Sequence, residues 1–350
     1  MWRPCGTFDV NYRQDYAIVR TPVQWCLMIG SLVAIFLVPH WASGRALNII
    51  NLITITVISV QGVNILTGMT GQITLGQTAF MAVGAYSFTL MVKYLGFCLS
   101  VPLAMLVTGL VGLIFGISSL RIKGFYLALA TLGAQFIIPW LIVNVRPDLT
   151  GGTDTLPVPA PRFGDFIFDT QGKIFYLCTS LAILGTYFAR NIQRSRIGRA
   201  FMAIRDNDLA AQSMGIEIFG YKLLAFFICS IYAGLAGILY AVWMRGVSVE
   251  HFELLESIWH LGMLIVGGMG SVAGVWLGVI FIRGLDLLVR YIGVYIGPIF
   301  SASSSAAFML GIGPIVFGVV GILFLIFEPK GLYRIWERFK AFYRLWPFSY

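Results

Sequence analysis

Long apolar runs and short polar connections alternate along most of the chain. The apolar runs recur with lengths near 20 residues, which is what a helix needs to cross roughly 30 Å of hydrocarbon. This pattern predicts an all-α polytopic membrane protein with about ten transmembrane helices, and eight at the least. The candidate spans are 21–38, 47–66, 73–92, 99–120, 125–145, 174–189, 222–243, 258–282, 285–299 and 308–327.

Composition supports this class over the two soluble domains that 350 residues would otherwise suggest. Hydrophobic residues make up 58% of the chain and charged residues only 11%, whereas soluble domains have roughly 45–50% and 25%. Glycine is frequent, with 39 residues. Small residues allow close helix packing in lipid, and glycine also permits broken helices around a transport pathway; both interpretations stay open.

The basic residues cluster on alternate sides of the predicted spans. Seventeen Lys and Arg fall on one side and six on the other, with Arg290 inside a span. Because cytoplasmic loops carry the excess of Lys and Arg, both termini are predicted to be cytoplasmic. Topology thus accounts for the net charge of +9, and we expect no nucleic-acid partner.

The chain divides into a cytoplasmic segment 1–20, a membrane domain 21–327 and a basic cytoplasmic tail 328–350.

Two of the predicted spans are irregular. The segment 285–299 is short and contains Asp286 and Arg290, while 258–282 contains the glycine-rich stretch 267–270. The two segments are either full spans or a re-entrant pair. Asp286 and Arg290 are spaced i,i+4 and therefore share a helix face; we interpret them as a structural ion pair, with a functional pair as the alternative.

The longest predicted external loop is 146–173. The three prolines of its stretch 150–165 and the Gly151-Gly152 pair preclude a regular helix over the loop. The loop is either a landing surface for an external partner or a solvated connector.

A basic cytoplasmic loop, 190–221, divides the membrane domain. Ser195 and the run 206–208 (Asp-Asn-Asp) are helix-start signals, and Gly198 and Gly215 can end or articulate turns. The spacing predicts a short helix over 208–215 whose small side chains fit a groove on another protein. The alternative is an amphipathic helix lying on anionic lipid.

Several uncharged polar residues fall within or beside the predicted spans. In hydrocarbon an unsatisfied polar group is costly, so each must bind a solute or another helix. Both roles stay open, a transport pathway and interhelical hydrogen bonding. The candidates are Gln61, Asn64, Gln72, Thr74, Gln77 and Gln135.

Catalytic motifs are missing from the sequence. It contains no phosphate-binding G-x-x-x-x-G-K-[ST] loop, no metal-ligand spacing of its three histidines and no CxxC pair. His251 lies among Glu250, Glu253 and Glu256, which form either a cation site or, as we prefer, a solvated helix start. We therefore expect no catalytic residues, no cofactor and no metal ion.

Six motifs occur in order along the chain. They are TGMTGQITLGQTAFMAVGAY (67–86), GFYLALATL (124–132), TGG (150–152), SRIGRAFMAIRDNDLAAQSMGI (195–216), GGMGSVAGVWLG (267–278) and FEPKGL (327–332). Together they resemble the permease family of ATP-binding-cassette (ABC) importers for branched-chain amino acids, and most closely its LivM type. The segment Ala210-Ala211-x-x-x-Gly215 is similar to the coupling motif of such permeases, although Leu209 stands where that motif has glutamate.

The resemblance implies a bacterial inner-membrane importer. Its partners would be a second permease of LivH type, two cytoplasmic ATP-binding subunits, a periplasmic binding protein and membrane lipid. The solute stays open among branched-chain or other amino acids, urea, amides and carboxylates. The alternative function is a secondary transporter or channel without an ATPase partner. The residues assigned to ATPase coupling are Gly198, Arg199, Arg205, Asp206, Asp208, Ala210, Ala211 and Gly215.

Overall fold

A computed structural model describes residues 22–118, 125–163, 166–296, 302–328 and 330–345. The predicted segment 1–20 lies outside these ranges. Within them the chain is almost entirely helical, as the apolar pattern predicts. The helices are α1 (Pro22–Trp41), α2 (Gly44–Val63, continued by a π-helical turn Asn64–Met69), α3 (Gln77–Ser118), α4 (Phe125–Asn144), α5 (Gln171–Arg194), α6 (Arg196–Asp206), α7 (Asp208–Ser213), α8 (Ile218–Met244), α9 (Leu254–Gly267), α10 (Val272–Ile296), α11 (Ala302–Phe327) and α12 (Gly331–Leu345).

Four two-residue strands and two short helical turns complete the description. Strand β1 (Leu156–Pro157) pairs antiparallel with β4 (Gly246–Val247), and β2 (Arg162–Phe163) with β3 (Phe166–Ile167). The first pair attaches the loop 146–173 to the end of α8. Up to the start of α5, the described residues of the loop contain no long helix, as predicted, and form the single turn Pro147–Thr150. A 3-10 turn, Val249–Phe252, precedes α9.

Six helical stretches of the described chain are long and apolar enough to cross a membrane, or seven if the bent pair α11–α12 counts as one span. Helix α3 has 42 residues, so at 1.5 Å per residue it is roughly 60 Å long, twice the hydrocarbon thickness. It contains a break at Gly96, whose φ of 71° and ψ of 172° are not helical. The predicted spans 73–92 and 99–120 are the two halves of this broken helix.

The predicted boundary between 258–282 and 285–299 is wrong. Helix α9 ends at Gly267 and α10 runs without interruption from Val272 to Ile296, so the chain turns fifteen residues earlier than expected. Gly268 and Gly270 make this turn with φ of +112° and +81°, values that glycine adopts without a Cβ penalty. The apolar side chains on both sides of the turn hid it from the hydropathy pattern.

Helix α8 is the centre of the membrane domain. A Cβ on Gly237 would overlap the backbone of Met81, and a Cβ on Gly84 would meet the backbone of Gly234. In the other half of α3, a Cβ on Gly112 would overlap the side chain of Ser230. Both halves of α3 therefore lie directly against α8 with glycine at the contacts, as expected where small residues allow helices to approach closely.

A second apolar cluster joins α2 to the α9–α10 pair. Val60 of α2, Met263 of α9 and Val279 of α10 are fully buried in it. The two helices α9 and α10 also touch through glycine, because a Cβ on Gly267 would overlap the carbonyl of Gly274. The helices α9 and α10, joined by the glycine turn, are thus packed as one unit against α2.

Candidate functional site

The helices α6 and α7 form the polar connection predicted between the apolar halves. The side chain of Ser195 caps α6 by accepting a hydrogen bond from the Gly198 amide at 3.3 Å. A Cβ on Gly198 would overlap the carbonyl of Ile192, so glycine lets α6 fold back closely on α5. Asn207 caps α7 by accepting from the amides of Leu209 and Ala210 at 3.1 Å. The expected helix starts are therefore confirmed.

The outer side of α7 is exposed. Leu209 is 70% exposed and Met214 85% exposed, and Ala210 is exposed while Ala211 is buried. Gly215 ends the segment with a φ of +82°. A helix with small residues and two exposed apolar side chains suits insertion into a groove of another protein.

The charged coupling residues differ in their surroundings. Arg199 is exposed and donates to the carbonyl of Arg194, which belongs to the same loop. Asp208 lies 4.0 Å from Lys222 at the start of α8. Arg205 forms an ion pair with Asp206 at 3.1 Å and donates to the carbonyl of Gly68 at 2.9 Å. Arg205 therefore faces the π-helical turn of the membrane domain and is bound internally.

The glycine turn between α9 and α10 lies beside the same contact. Asn64 of the π-helical turn accepts a hydrogen bond from the Gly270 amide at 2.8 Å. Gln193, at the end of α5, donates to the Gly270 carbonyl at 2.8 Å. Gln61 donates to the carbonyl of Val272, the first residue of α10, at 2.9 Å. These bonds connect α5, α2 and its π-helical turn to the glycine turn between α9 and α10.

Two of the predicted pathway amides are used in hydrogen bonds between elements. Gln77 donates to the carbonyl of Ser59 at 3.0 Å and accepts from the thiol of Cys229 at 3.2 Å, so it joins α3 to α2 and α8. Gln135 of α4 accepts from the Ala79 amide at 3.0 Å and donates to the Phe252 carbonyl at 2.7 Å. These contacts match the alternative of interhelical hydrogen bonding.

The remaining candidates lie in the non-helical stretch before α3. Thr74 accepts from the amide of Gly76 at 3.3 Å, a bond within that stretch. Gln72 is buried, yet neither side-chain atom has a hydrogen-bond partner in the part of the chain that the structure describes. Its amide is therefore the predicted pathway group with unused hydrogen-bonding capacity on both atoms.

A charged cluster that the sequence analysis did not assemble lies where α9 and α10 face each other. Arg283 of α10 binds Glu256 of α9 with 2.9 Å between Nη2 and Oε2. His260 is buried one turn further along α9. Asp286 and Arg290 form the predicted i,i+4 pair at 3.0 Å. All five side chains line a cavity of about 330 Å³ between α2, α3, α8, α9 and α10.

The misplaced helix boundary explains why this cluster was overlooked. A loop at 283–284 puts Arg283 among the basic residues predicted to be cytoplasmic. It leaves Glu256 in the predicted solvated group around His251. The continuous helix α10 instead carries Arg283 to the level of Glu256. His251 caps the 3-10 turn, where its Nδ1 accepts from the Ser248 amide at 3.4 Å. The glycine run 267–270 was the signal that could have located the true turn.

Comparison with known proteins identifies a family model and several relatives. The model for "Branched-chain amino acid transport system / permease component" matches residues 45–327. The high-affinity branched-chain amino acid transport permease LivM of Salmonella typhimurium is 30% identical over 89% of this chain and 75% of its own length, and LivM of Escherichia coli K12 gives the same values. A probable LivH permease of Methanocaldococcus jannaschii is 26% identical over 75% of this chain and 84% of its own. No solved structure matches the chain.

Proposed function

Because the chain belongs to the family of branched-chain amino acid transport permease components, we propose that it is the transmembrane subunit of an ABC importer. The importer would move branched-chain amino acids or a related small polar solute. The observation that carries this function is the exposed helix α7, which directly follows α6, where Arg205 donates to the Gly68 carbonyl of the membrane domain. A secondary transporter or channel has no use for such a helix.

The proposed complex contains the partners that this kind of importer needs. A second permease of LivH type would complete the membrane unit, and relatives of both types match this chain. One of the two ATP-binding subunits would receive α7 in its groove, and the second permease would contact the other. A periplasmic binding protein would deliver the solute to the outer side, where the loop 146–173 offers a surface.

We place the protein in the inner membrane of a bacterium with both termini in the cytoplasm. We propose ten crossings, with each half of α3 and the 14-residue helix α9 counted separately. The segments 1–20, 190–221 and 328–350 would then be cytoplasmic and 146–173 external. Moving Arg283 into the membrane leaves sixteen basic residues inside against six outside, which still satisfies the positive-inside rule.

Coupling would proceed through short, direct contacts. ATP binding closes the two ATP-binding subunits and displaces α7 with α6. Arg205 pulls on the Gly68 carbonyl, and Gln193 pulls on Gly270. Since Gly268 and Gly270 occupy conformations that need glycine, the turn can change its angle and reorient α9 and α10.

The polar residues in the spans receive different proposed roles. Gln61, Asn64, Gln77 and Gln135 hold neighbouring elements together and shape the pathway through their position. Gln72, with Thr74 beside it, keeps an amide that a solute can bind. We propose Gln72 as the pathway residue of this group.

Co-purification with the ATP-binding subunits tests this function. Leu209→Asp places a charge on the exposed docking helix without touching the core, so we expect the permease to assemble in the membrane but to lose most of the bound ATPase. Leu149→Asp is the matched control, because Leu149 is 53% exposed in the loop 146–173 and should keep the ATPase. Solute uptake driven by an ion gradient in the absence of ATP would contradict the proposal.

A further inference from the structure

Two ion pairs line the cavity between α2, α3, α8, α9 and α10, and the Arg283–Glu256 pair is the less exposed of the two. The side chain of Arg283 is only 11% exposed, and that of Glu256 is 39% exposed. Charged side chains within a membrane domain are costly, and they usually mark a pathway or a binding site. A cavity of about 330 Å³ is at the lower end of the range for small-molecule sites, roughly 300–1,000 Å³.

The Arg283–Glu256 pair is incomplete in a way that suits a ligand. Glu256 is hydrogen-bonded through one oxygen to Nη2 of Arg283, although a guanidinium can offer two parallel donors to a carboxylate. The Nε atom of Arg283 is buried and has no hydrogen-bond partner among the residues described. A buried donor left unpaired is costly, so a ligand carboxylate that accepts from Nε would relieve that cost.

The two charges stand side by side with opposite signs. Arg283 offers donors to a carboxylate, and the partly exposed Glu256 can accept from an ammonium group. The remaining walls are largely apolar and include Leu52, Ile55 and Met81. These walls can receive an aliphatic side chain attached to the same carbon.

We propose that this cavity binds the zwitterionic head group of an aliphatic α-amino acid, with Arg283 on the carboxylate and Glu256 on the ammonium group. The proposal rests on the importer function and narrows its solute. A neutral amide or urea carries neither charge, and a simple carboxylate has no ammonium group for Glu256 to bind. The second pair, Asp286–Arg290, lies one turn towards the end of α10 and lines the same cavity.

Thiol protection in the complete importer, reconstituted with its partner subunits, measures this binding directly. Leu287 lines the cavity and is partly exposed, so Leu287→Cys supplies a reporter whose modification is followed at that position by peptide mass spectrometry. L-leucine should slow the modification. L-leucinamide lacks the carboxylate and 4-methylpentanoate lacks the ammonium group, so each should protect roughly ten- to a hundredfold less well.

The variants separate a binding role from a structural one. Arg283→Gln and Glu256→Gln should each weaken protection by L-leucine roughly tenfold or more. Glu250→Gln is the matched control, because Glu250 is exposed on the neighbouring 3-10 turn. L-leucine should protect the reporter in this variant as well as it does in Leu287→Cys alone. If a single variant fails to assemble, Glu256→Gln/Arg283→Gln leaves no unpaired charge; it should assemble and still lack protection.

The outcomes of these experiments separate a failure of the proposed binding site from a failure of the proposed importer function. Full protection or normal leucine uptake in the assembled double variant would overturn the site and make the pair structural. Absence of protection in an importer that takes up leucine would also overturn the site while the importer function stands. Charge-dependent protection without ATP-driven uptake would support the site and contradict the importer function.

Discussion

At the scale of single residues, glycine decides how closely the helices approach. The contacts between α3 and α8 are backbone to backbone at several glycines, whereas other helical glycines face open space. Gly237 is of the first kind, because a Cβ would overlap the carbonyl of Met81, and Gly133 of α4 is of the second kind, with nothing within 4 Å. Amino-acid composition alone cannot tell a glycine at a tight helix contact, such as Gly237, from one that faces open space, such as Gly133.

This difference predicts opposite effects of the same substitution. Gly237→Ala must push α8 away from α3 and should destabilise the assembled protein by about 1–3 kcal/mol, the usual cost of overpacking. Gly133→Ala should leave the melting temperature unchanged or raise it slightly, because alanine favours the helix. Thermal unfolding of the purified protein in detergent measures both, and equal melting temperatures would contradict the packing described for α8.

The two amides Gln72 and Gln77 should also respond differently to replacement by leucine. Gln77→Leu removes bonds to Ser59 and Cys229 and should lower stability by about 1 kcal/mol, with uptake per assembled complex unchanged. Gln72→Leu removes an amide that has no partner within the described ranges and should lower uptake without lowering the melting point. Uptake in proteoliposomes, normalised to assembled complex, distinguishes the two; the reverse pattern would exchange their roles.

At the scale of elements, α6 is linked to the glycine turn through the π-helical turn, which binds Arg205 through Gly68 and Gly270 through Asn64. Arg205 is central, since its guanidinium binds Gly68 and Asp206 together. Lysine keeps the charge but cannot make both contacts with fixed geometry. In the proposed importer, Arg205 would therefore be a positioning residue between the ATPase-binding surface and the membrane domain.

Arg205→Lys should keep the ATP-binding subunits attached while the solute imported per ATP hydrolysed falls. Loss of a charged hydrogen bond worth roughly 1.5–3 kcal/mol corresponds to at least tenfold weaker coupling. Arg199→Lys is the control, because Arg199 is exposed and bonds to its own loop. Parallel measurement of ATP hydrolysis and uptake checks the ratio, and an unchanged ratio would remove Arg205 from the coupling route.

At the scale of the whole molecule, sidedness follows from the charge distribution and from the position of the glycine turn. Gly270 lies beside Arg205, so the turn and the loop α6–α7 are on the same side of the membrane domain. An impermeant thiol reagent added outside should label Asp154→Cys and miss both Ser213→Cys and Met269→Cys. External labelling at Met269→Cys alone would move the turn to the other side and refute the proposed path of α9.

The sequence by itself determined the class of the protein, most helix positions, the helix caps at Ser195 and Asn207 and the location of the polar connection. These features depend on local information: apolar length, capping residues and the sign of charge at span ends. The break in α3 and the pairing of Asp286 with Arg290 were also within reach, because each involves neighbours along one helix.

Only the tertiary structure decided where α9 ends and what Arg283 contacts. The turn at 268–271 is stabilised by bonds from Asn64, Gln193 and Gln61, which are distant in sequence and leave no trace in a hydropathy pattern. The hydrogen bonding of the glutamines was also decided only by the tertiary structure, because a buried amide has the same sequence signature whether it has partners or not. The Arg283–Glu256 cavity exists only because α10 is one continuous helix packed against α9.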